Sequence, residues 1–183
     1  MKNGGKAAKN PGSMPSVVIS ACLLSSCSRW DGKPLDLDDD FRDRISRLEK
    51  HVKIIPVCPE TGIGLGVPRD PIRLIETAGG VRLVQPSSGR DLTEAMLKFT
   101  AGFLRKSGDP AAYILKERSP SCAPGDAEIY PSESASQSTS KGEGMFVRAL
   151  LGNAPHPAIV ENEDVLKNDC AFNEFLDDVL RFC

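Results

Sequence analysis

Val17-Val18-Ile19-Ser20-Ala21-Cys22 is a short apolar run of strand type that ends on a cysteine, and two later stretches repeat the arrangement. Ile54-Ile55-Pro56-Val57-Cys58-Pro59-Glu60 leads to Cys58, and Ile114-Leu115-Lys116-Glu117-Arg118-Ser119-Pro120-Ser121-Cys122 leads to Cys122. Helical segments separate the three runs, so the strands are expected to lie parallel in one sheet. Sheets of that kind place ligands beyond the carboxyl ends of their strands. Three thiols far apart in sequence should then converge on one point.

Outward from these runs, strand and helix alternate. A helix is expected from Asp38, with Phe41, Ile45 and Leu48 on one face, acidic Asp38 to Asp40 in the first turn and Lys50-His51 at the end, an order that suits the helix dipole. Ile72 to Glu76 and Val81 to Gln85 flank Thr77-Ala78-Gly79-Gly80 and read as a small β-hairpin insertion at the edge of the domain. Asp91 with Glu94 predicts a capped helix start, and Leu92, Ala95, Met96, Phe99 and Phe103 continue the stripe to Gly108-Asp109-Pro110. Ala111 to Leu115 is the third core strand. Ser-rich Pro131 to Lys141 reads as a loop and the most mobile segment. A helix over Glu143 to Leu151, a strand over Ala158 to Val160 and a helix carrying Phe172, Phe175, Leu176, Val179 and Leu180 close the chain. The expected fold is α/β: one domain over 16–183, a mostly parallel, Rossmann-like sheet flanked by helices.

Composition removes several function classes. With 183 residues the chain can bury one sizeable core. A net charge of -2 lacks the basic excess that a nucleic-acid backbone demands. Six cysteines in this length are too few for a disulfide scaffold and suit a reduced, cytoplasmic setting with metal or redox chemistry. Lys2, Lys6 and Lys9 before the apolar stretch Met14 to Leu24 could be taken for a lipoprotein signal. Lipidation at Cys22 would leave only Pro15 to Ala21 as its apolar core and cut away the first strand. Residues 1–15 are therefore read as a disordered leader, and the remainder as a soluble domain with no membrane span.

Cys22, Cys58 and Cys122 fit iron-sulfur ligands, zinc ligands or ordinary buried cysteines. Zinc usually draws close Cys-x2-4-Cys pairs, and the two histidines offered, His51 and His156, fall at a helix end and between prolines. Pro59 after Cys58 and Pro120 before Cys122 set those thiols on rigid backbone beyond a strand, which favours presentation over packing. Cys27 is a fourth candidate at the far end of a loop from Cys22, as a fourth ligand or a nearby redox thiol. Cys170 and Cys183 are assigned to packing or surface. Gly62-Ile63-Gly64-Leu65-Gly66 departs from a dinucleotide fingerprint, because Val67-Pro68-Arg69-Asp70-Pro71 breaks any helix. Its glycines read as backbone passing close to a bound group, with Arg69 available for an anionic or carbonyl oxygen. Glu60, two residues past Cys58, is the best acid/base candidate. Ser119 and Ser121 flank Pro120, and Lys116-Glu117-Arg118 reads as a solvated mixed-charge run.

Together, Ile19-Ser20-Ala21-Cys22-Leu23-Leu24 with Cys27 and Trp30-Asp31-Gly32, Pro56-Val57-Cys58-Pro59-Glu60 with Pro68-Arg69, Gly89-Arg90-Asp91-Leu92-Thr93, and Leu115 to Cys122 resemble the thiouracil desulfidase family, formerly domain of unknown function 523. The resemblance runs from Val17 to the C-terminus. It implies a [4Fe-4S] cluster held by Cys22, Cys58 and Cys122, with one iron open to take sulfur from a thiolated nucleobase. Glu60 and Ser121 become candidates for proton handling, and Trp30, Asp31, Arg69 and Ser119 for the substrate. Trp30 stands where a Tyr is usual, and Ala123 where a Gly commonly follows the last cysteine. The reading from a different class is a non-catalytic zinc- or thiol-stabilised binding module.

Overall fold

The computed structural model describes residues 14–24, 29–153 and 159–181. The chain runs β1 (Ser16–Ser20), α1 (Asp39–Glu49), β2 (Lys53–Val57), α2 (Pro59–Gly62), β3 (Arg73–Thr77), β4 (Gly80–Gln85), β5 (Arg90–Asp91) and α3 (Thr93–Ser107). It continues through β6 (Ala112–Leu115), β7 (Ala127–Tyr130), β8 (Ser140–Gly142), α4 (Met145–Asn153), β9 (Ile159–Asn162) and α5 (Asp169–Arg181), with 3-10 turns at Ala21–Leu23 and Glu163–Leu166.

Four parallel strands form the first sheet in the order β2-β1-β6-β9. Successive side chains of a strand point to opposite faces, and here both faces are covered. Val17 and Ile19 of β1, with Ala112 and Ile114 of β6, pack with Phe41 and Leu48 of α1 and Phe172, Phe175 and Val179 of α5. Val18, Tyr113 and Leu115 face the other way, onto Met96 of α3 and Phe146 and Leu150 of α4. Continuous apolar strands are what such double burial requires. In register, Ser20 lies beside Val57 and Ile19 beside Ile114, so β1, β2 and β6 end level with one another.

Local signals account for the helices. The Asp38 carboxylate accepts the Phe41 amide at 2.7 Å and caps α1. The start of α3 differs from the expected capping box. Asp91 accepts the Thr93 amide at 2.9 Å, while the Thr93 hydroxyl accepts the Leu83 amide of β4 at 2.9 Å. The tie to the neighbouring strand displaces the cap, and Glu94 instead faces Lys98 at 3.5 Å.

The hairpin is larger than expected. β3 and β4 form the middle of a five-stranded sheet in the order β5-β4-β3-β7-β8, with β7 parallel to β3. β7 carries only four residues; it pairs with β8 on one side, and its partner on the other, β3, lies some fifty positions earlier, too far for local pattern to register. The Ser-rich stretch ends in β8, and the Ala135 carbonyl accepts Arg73 at 2.8 Å, so part of the expected loop is tied to this sheet. Among the described residues no helix is long and apolar enough to cross a membrane. The expected leader falls almost wholly outside the described residues.

Candidate active site

A cavity of about 440 Å³ opens beyond the ends of β1, β2 and β6 and is lined by Cys22, Cys58 and Cys122. Each thiol is presented by a different local device. Cys22 sits in the 3-10 turn that ends β1. Cys58 stays extended at the start of α2, where its carbonyl accepts the Gly62 amide at 2.9 Å and the Thr61 hydroxyl at 3.0 Å. Pro59 therefore opens a helical turn, at the one helix position where a missing N–H costs nothing. Cys122 is held by Ser119, whose hydroxyl accepts the amides of Ser121 at 3.2 Å and Cys122 at 3.0 Å. The expectation that the prolines push their thiols outward holds less for Cys122, which is buried but still faces the cavity.

The three sulfurs act on one another. Burial, then the nearby Cys58, pushes the Cys22 thiol up to about 11. Burial does the same to Cys122, reinforced by Glu60, Cys22 and Cys58 and opposed by a hydrogen bond from Ser20. Without a cation among them, Cys22 and Cys122 hold their protons above the ordinary thiol range.

Glu60 and Arg69 both line the cavity and form a buried ion pair, Nε to Oε2 at 2.7 Å, with side chains 12% and 6% exposed. Arg69 also donates to the Gly66 carbonyl at 3.1 Å, and its amide donates to the Trp30 carbonyl at 2.8 Å. Arg69 thus ties together the acid/base candidate and the loop carrying Trp30. Trp30 lines the mouth and is 48% exposed.

Other expected residues sit differently. Asp31 does not line the cavity; it grips Arg29, which does, through bonds of 3.1 and 3.0 Å. The Lys33 amide, with help from Arg29, holds the Asp31 carboxyl below its ordinary range. Ser121 is fully buried behind Cys122, its hydroxyl without a hydrogen-bond partner, whereas Ser119 reaches the cavity. Of the glycines after β2, Gly62 serves packing, since a Cβ there would meet the Phe99 ring of α3 at 2.1 Å, whereas nothing lies within 4 Å of a Cβ on Gly64 or Gly66. The close approach is to a helix of this chain. Cys170 is exposed on α5, and Cys27, His156 and Cys183 lie outside the described residues.

Three polar residues escaped the sequence reading. Ser20, 1% exposed, accepts the Lys116 amide at 3.0 Å and reaches Cys122, bridging the ends of β1 and β6. Lys116 lines the cavity and pairs with buried Glu163, so the supposed solvated run is anchored. A polar residue ending an apolar strand just before a cysteine was the available signal for Ser20. Nothing in the sequence joined Glu163 to Lys116.

Among the described residues no three His, Cys, Asp or Glu side chains are placed to hold a single ion. A mononuclear zinc site needs its ligands within one tetrahedron of roughly 2.3 Å Zn–S bonds. Thiols spread around a cavity suit a polynuclear centre, which takes its thiolates at separate corners.

A parallel α/β layer gathers three cysteines from three strand ends around one cavity, with a buried carboxylate beside them, in a space of small-molecule size. The family model for 2-thiouracil desulfurase matches residues 17–163, and the chain belongs to that family. The uncharacterized protein YbbK of Bacillus subtilis strain 168 is 31% identical over 154 residues, covering 80% of this chain and 96% of that one. Among solved structures, the [4Fe-4S]-dependent thiouracil desulfidase TudS matches with a TM-score of 0.61 and 27% identity, over 88% of this chain and 99% of its own.

Proposed function

We propose that this chain is a [4Fe-4S]-dependent desulfidase that hydrolyses a thiolated pyrimidine of the 2-thiouracil type to its oxo form and hydrosulfide. The observation that carries the reading is the convergence of Cys22, Cys58 and Cys122 on one cavity, from strand ends that are level in the sheet. Family membership and the likeness to TudS support it. Cys22, Cys58 and Cys122 would hold the cluster. When bound, such a cluster supplies a Lewis-acid iron with a vacant corner for the soft sulfur of a thiocarbonyl.

The chain's own residues supply the rest. Replacement of sulfur by oxygen breaks one C=S bond and forms one C=O bond at the expense of one water; one proton leaves on hydrosulfide and the other is released, with no net electron transfer. Glu60 would take and return a proton of that water, and the 2.7 Å bond from Arg69, which holds its carboxylate, supports this reading. The Ser119 hydroxyl is available at the wall of the cavity, and Trp30 offers a flat face at its mouth for the ring. Ser121 is set back from the cavity, so its proposed part is limited to supporting Cys122. The net charge of -2 favours a free base or nucleoside over RNA, and reduced thiols favour the cytoplasm.

Anaerobic reconstitution, iron and sulfide analysis and incubation with 2-thiouracil, 4-thiouracil and 4-thiouridine test the proposal together. The expected result is an oxygen-sensitive chromophore, loss of thiocarbonyl absorbance and matching sulfide release. A colourless protein that takes up stoichiometric zinc would instead support the binding-module reading. Turnover of thiolated tRNA alone would overturn the charge argument while leaving the cluster in place.

A further inference from the structure

Lys116 and Glu163 form an ion pair at the wall of the cavity that the mechanism above does not use. Lys116 follows β6 and lines the cavity, with its Nζ donating to Glu163 Oε1. Glu163 opens the 3-10 turn after β9; its carboxylate is only 6% exposed, and its Oε2 accepts the Glu117 amide at 2.6 Å. Taking two charges out of water is unfavourable unless the geometry returns the cost, so a pair in this position is weak evidence for stability alone. The surroundings are also unequal. Glu117 is shared by Lys116 at 3.8 Å, Arg118 at 3.0 Å and Lys167 at 3.6 Å, and Lys167 reaches Asp164 at 2.6 Å. Glu163 pairs directly with Lys116 and is itself clamped by the Glu117 amide.

We infer that Lys116, clamped by Glu163, is the positioning residue for anionic sulfur in this cavity. Its ammonium retains the hydrosulfide that leaves the thiolated ring. The inference rests on the desulfidase reading. Hydrosulfide is the one product that carries a negative charge, and with the cluster bound it would be generated beside three thiolate ligands that repel it. A fixed cation at the wall lowers that repulsion, and an opposing carboxylate limits how long the product stays. Lys116 and Glu163 thus act with opposite sign on the same site.

The opposite sign is the test. Wild type, Lys116→Met, Lys116→Arg and Glu163→Gln are reconstituted anaerobically, and the reduction potential of the cluster and inhibition of turnover by added sodium sulfide are measured. Lys116→Met should move the potential negative and weaken sulfide inhibition by about tenfold, the size of one lost charge-assisted hydrogen bond. Glu163→Gln should move the potential positive and strengthen inhibition, and Lys116→Arg should stay close to wild type. If both neutral variants shift the same way, or neither shifts while iron content is normal, the pair is structural and the inference fails. Should Lys116→Met not fold, Glu163→Gln against Lys116→Arg still carries the sign comparison. Wild-type protein that binds no cluster would sink the desulfidase reading together with the inference; a clustered, active wild type without the sign reversal would sink the inference alone.

Discussion

Gly144 is the residue on which the Cys122 segment rests, and Gly144→Ala should loosen that segment. An ideal Cβ there would lie 2.4 Å from both the carbonyl carbon and oxygen of Ser121, and 2.8 Å from the Cys122 amide nitrogen. All three are backbone atoms, so no side chain can swing aside. Ordinary carbon contacts fall at about 3.5–4.0 Å, which requires the start of α4 and the Ser121-Cys122 backbone to separate by about 1 Å. Three hydrogen bonds span that gap: Gly144 to the Ala123 carbonyl at 2.8 Å, Met145 to Pro120 at 2.9 Å and Phe146 to Ser121 at 2.9 Å. At about 1 kcal/mol net apiece, their loss comes to about 3 kcal/mol, near the upper end of the usual overpacking cost. For a chain of this size that is a fall in Tm of about 6–12 °C. The assay is thermal and urea denaturation of the cluster-free chain, with Gly152→Ala as control. Nothing lies within 4 Å of a Cβ on Gly152, which belongs to the same helix, so its replacement should stabilise by up to about 1 kcal/mol. Iron uptake by Gly144→Ala should fall as Cys122 moves. A Gly144→Ala protein that melts with wild type would refute the close-packing argument.

Arg69→Met should destabilise by about 3–5 kcal/mol, because it strands the Glu60 carboxylate at 12% exposure, and the double variant with Glu60→Gln should recover most of that loss in a urea-denaturation cycle. Glu60→Gln alone should keep the iron and slow turnover by ~10²–10⁴-fold, measured by sulfide release; unchanged turnover would remove Glu60 from the mechanism. In the metal-free chain Cys22 keeps its proton up to about 11, against an ordinary 9.0, so the folded state binds more protons than the unfolded state between those values. Stability should therefore fall as pH rises through that window, and Cys22→Ser should flatten the decline in denaturation midpoints. Phe172→Ala empties a fully buried position on α5 beneath the Arg47 guanidinium, 4.7 Å from the ring centre, and should cost about 3–5 kcal/mol while leaving the cluster spectrum unchanged.

Much of this protein is legible in one dimension because the signals are local. Val17-Val18-Ile19 is apolar at consecutive positions, a pattern that only a strand covered on both faces demands, and its recurrence before Cys58 and Cys122 implies parallel strands with thiols at one end. The α1 and α5 stripes follow from helical period, and the Asp38 cap from a carboxylate within reach of its own backbone. What the sequence left undecided depends on partners distant along the chain. β7 lies between β8 and distant β3, and its pairing with β3 turned a hairpin into a five-stranded sheet. Arg69, expected to be available to an anionic or carbonyl oxygen, holds Glu60, and Asp31, expected at the substrate, holds Arg29. Lys116 carries no mark that separates it from a solvated lysine; the folded chain alone brings Glu163 against it from 47 residues away. Burial and charge pairing are set by which surfaces the packing removes from water, and no local pattern encodes that.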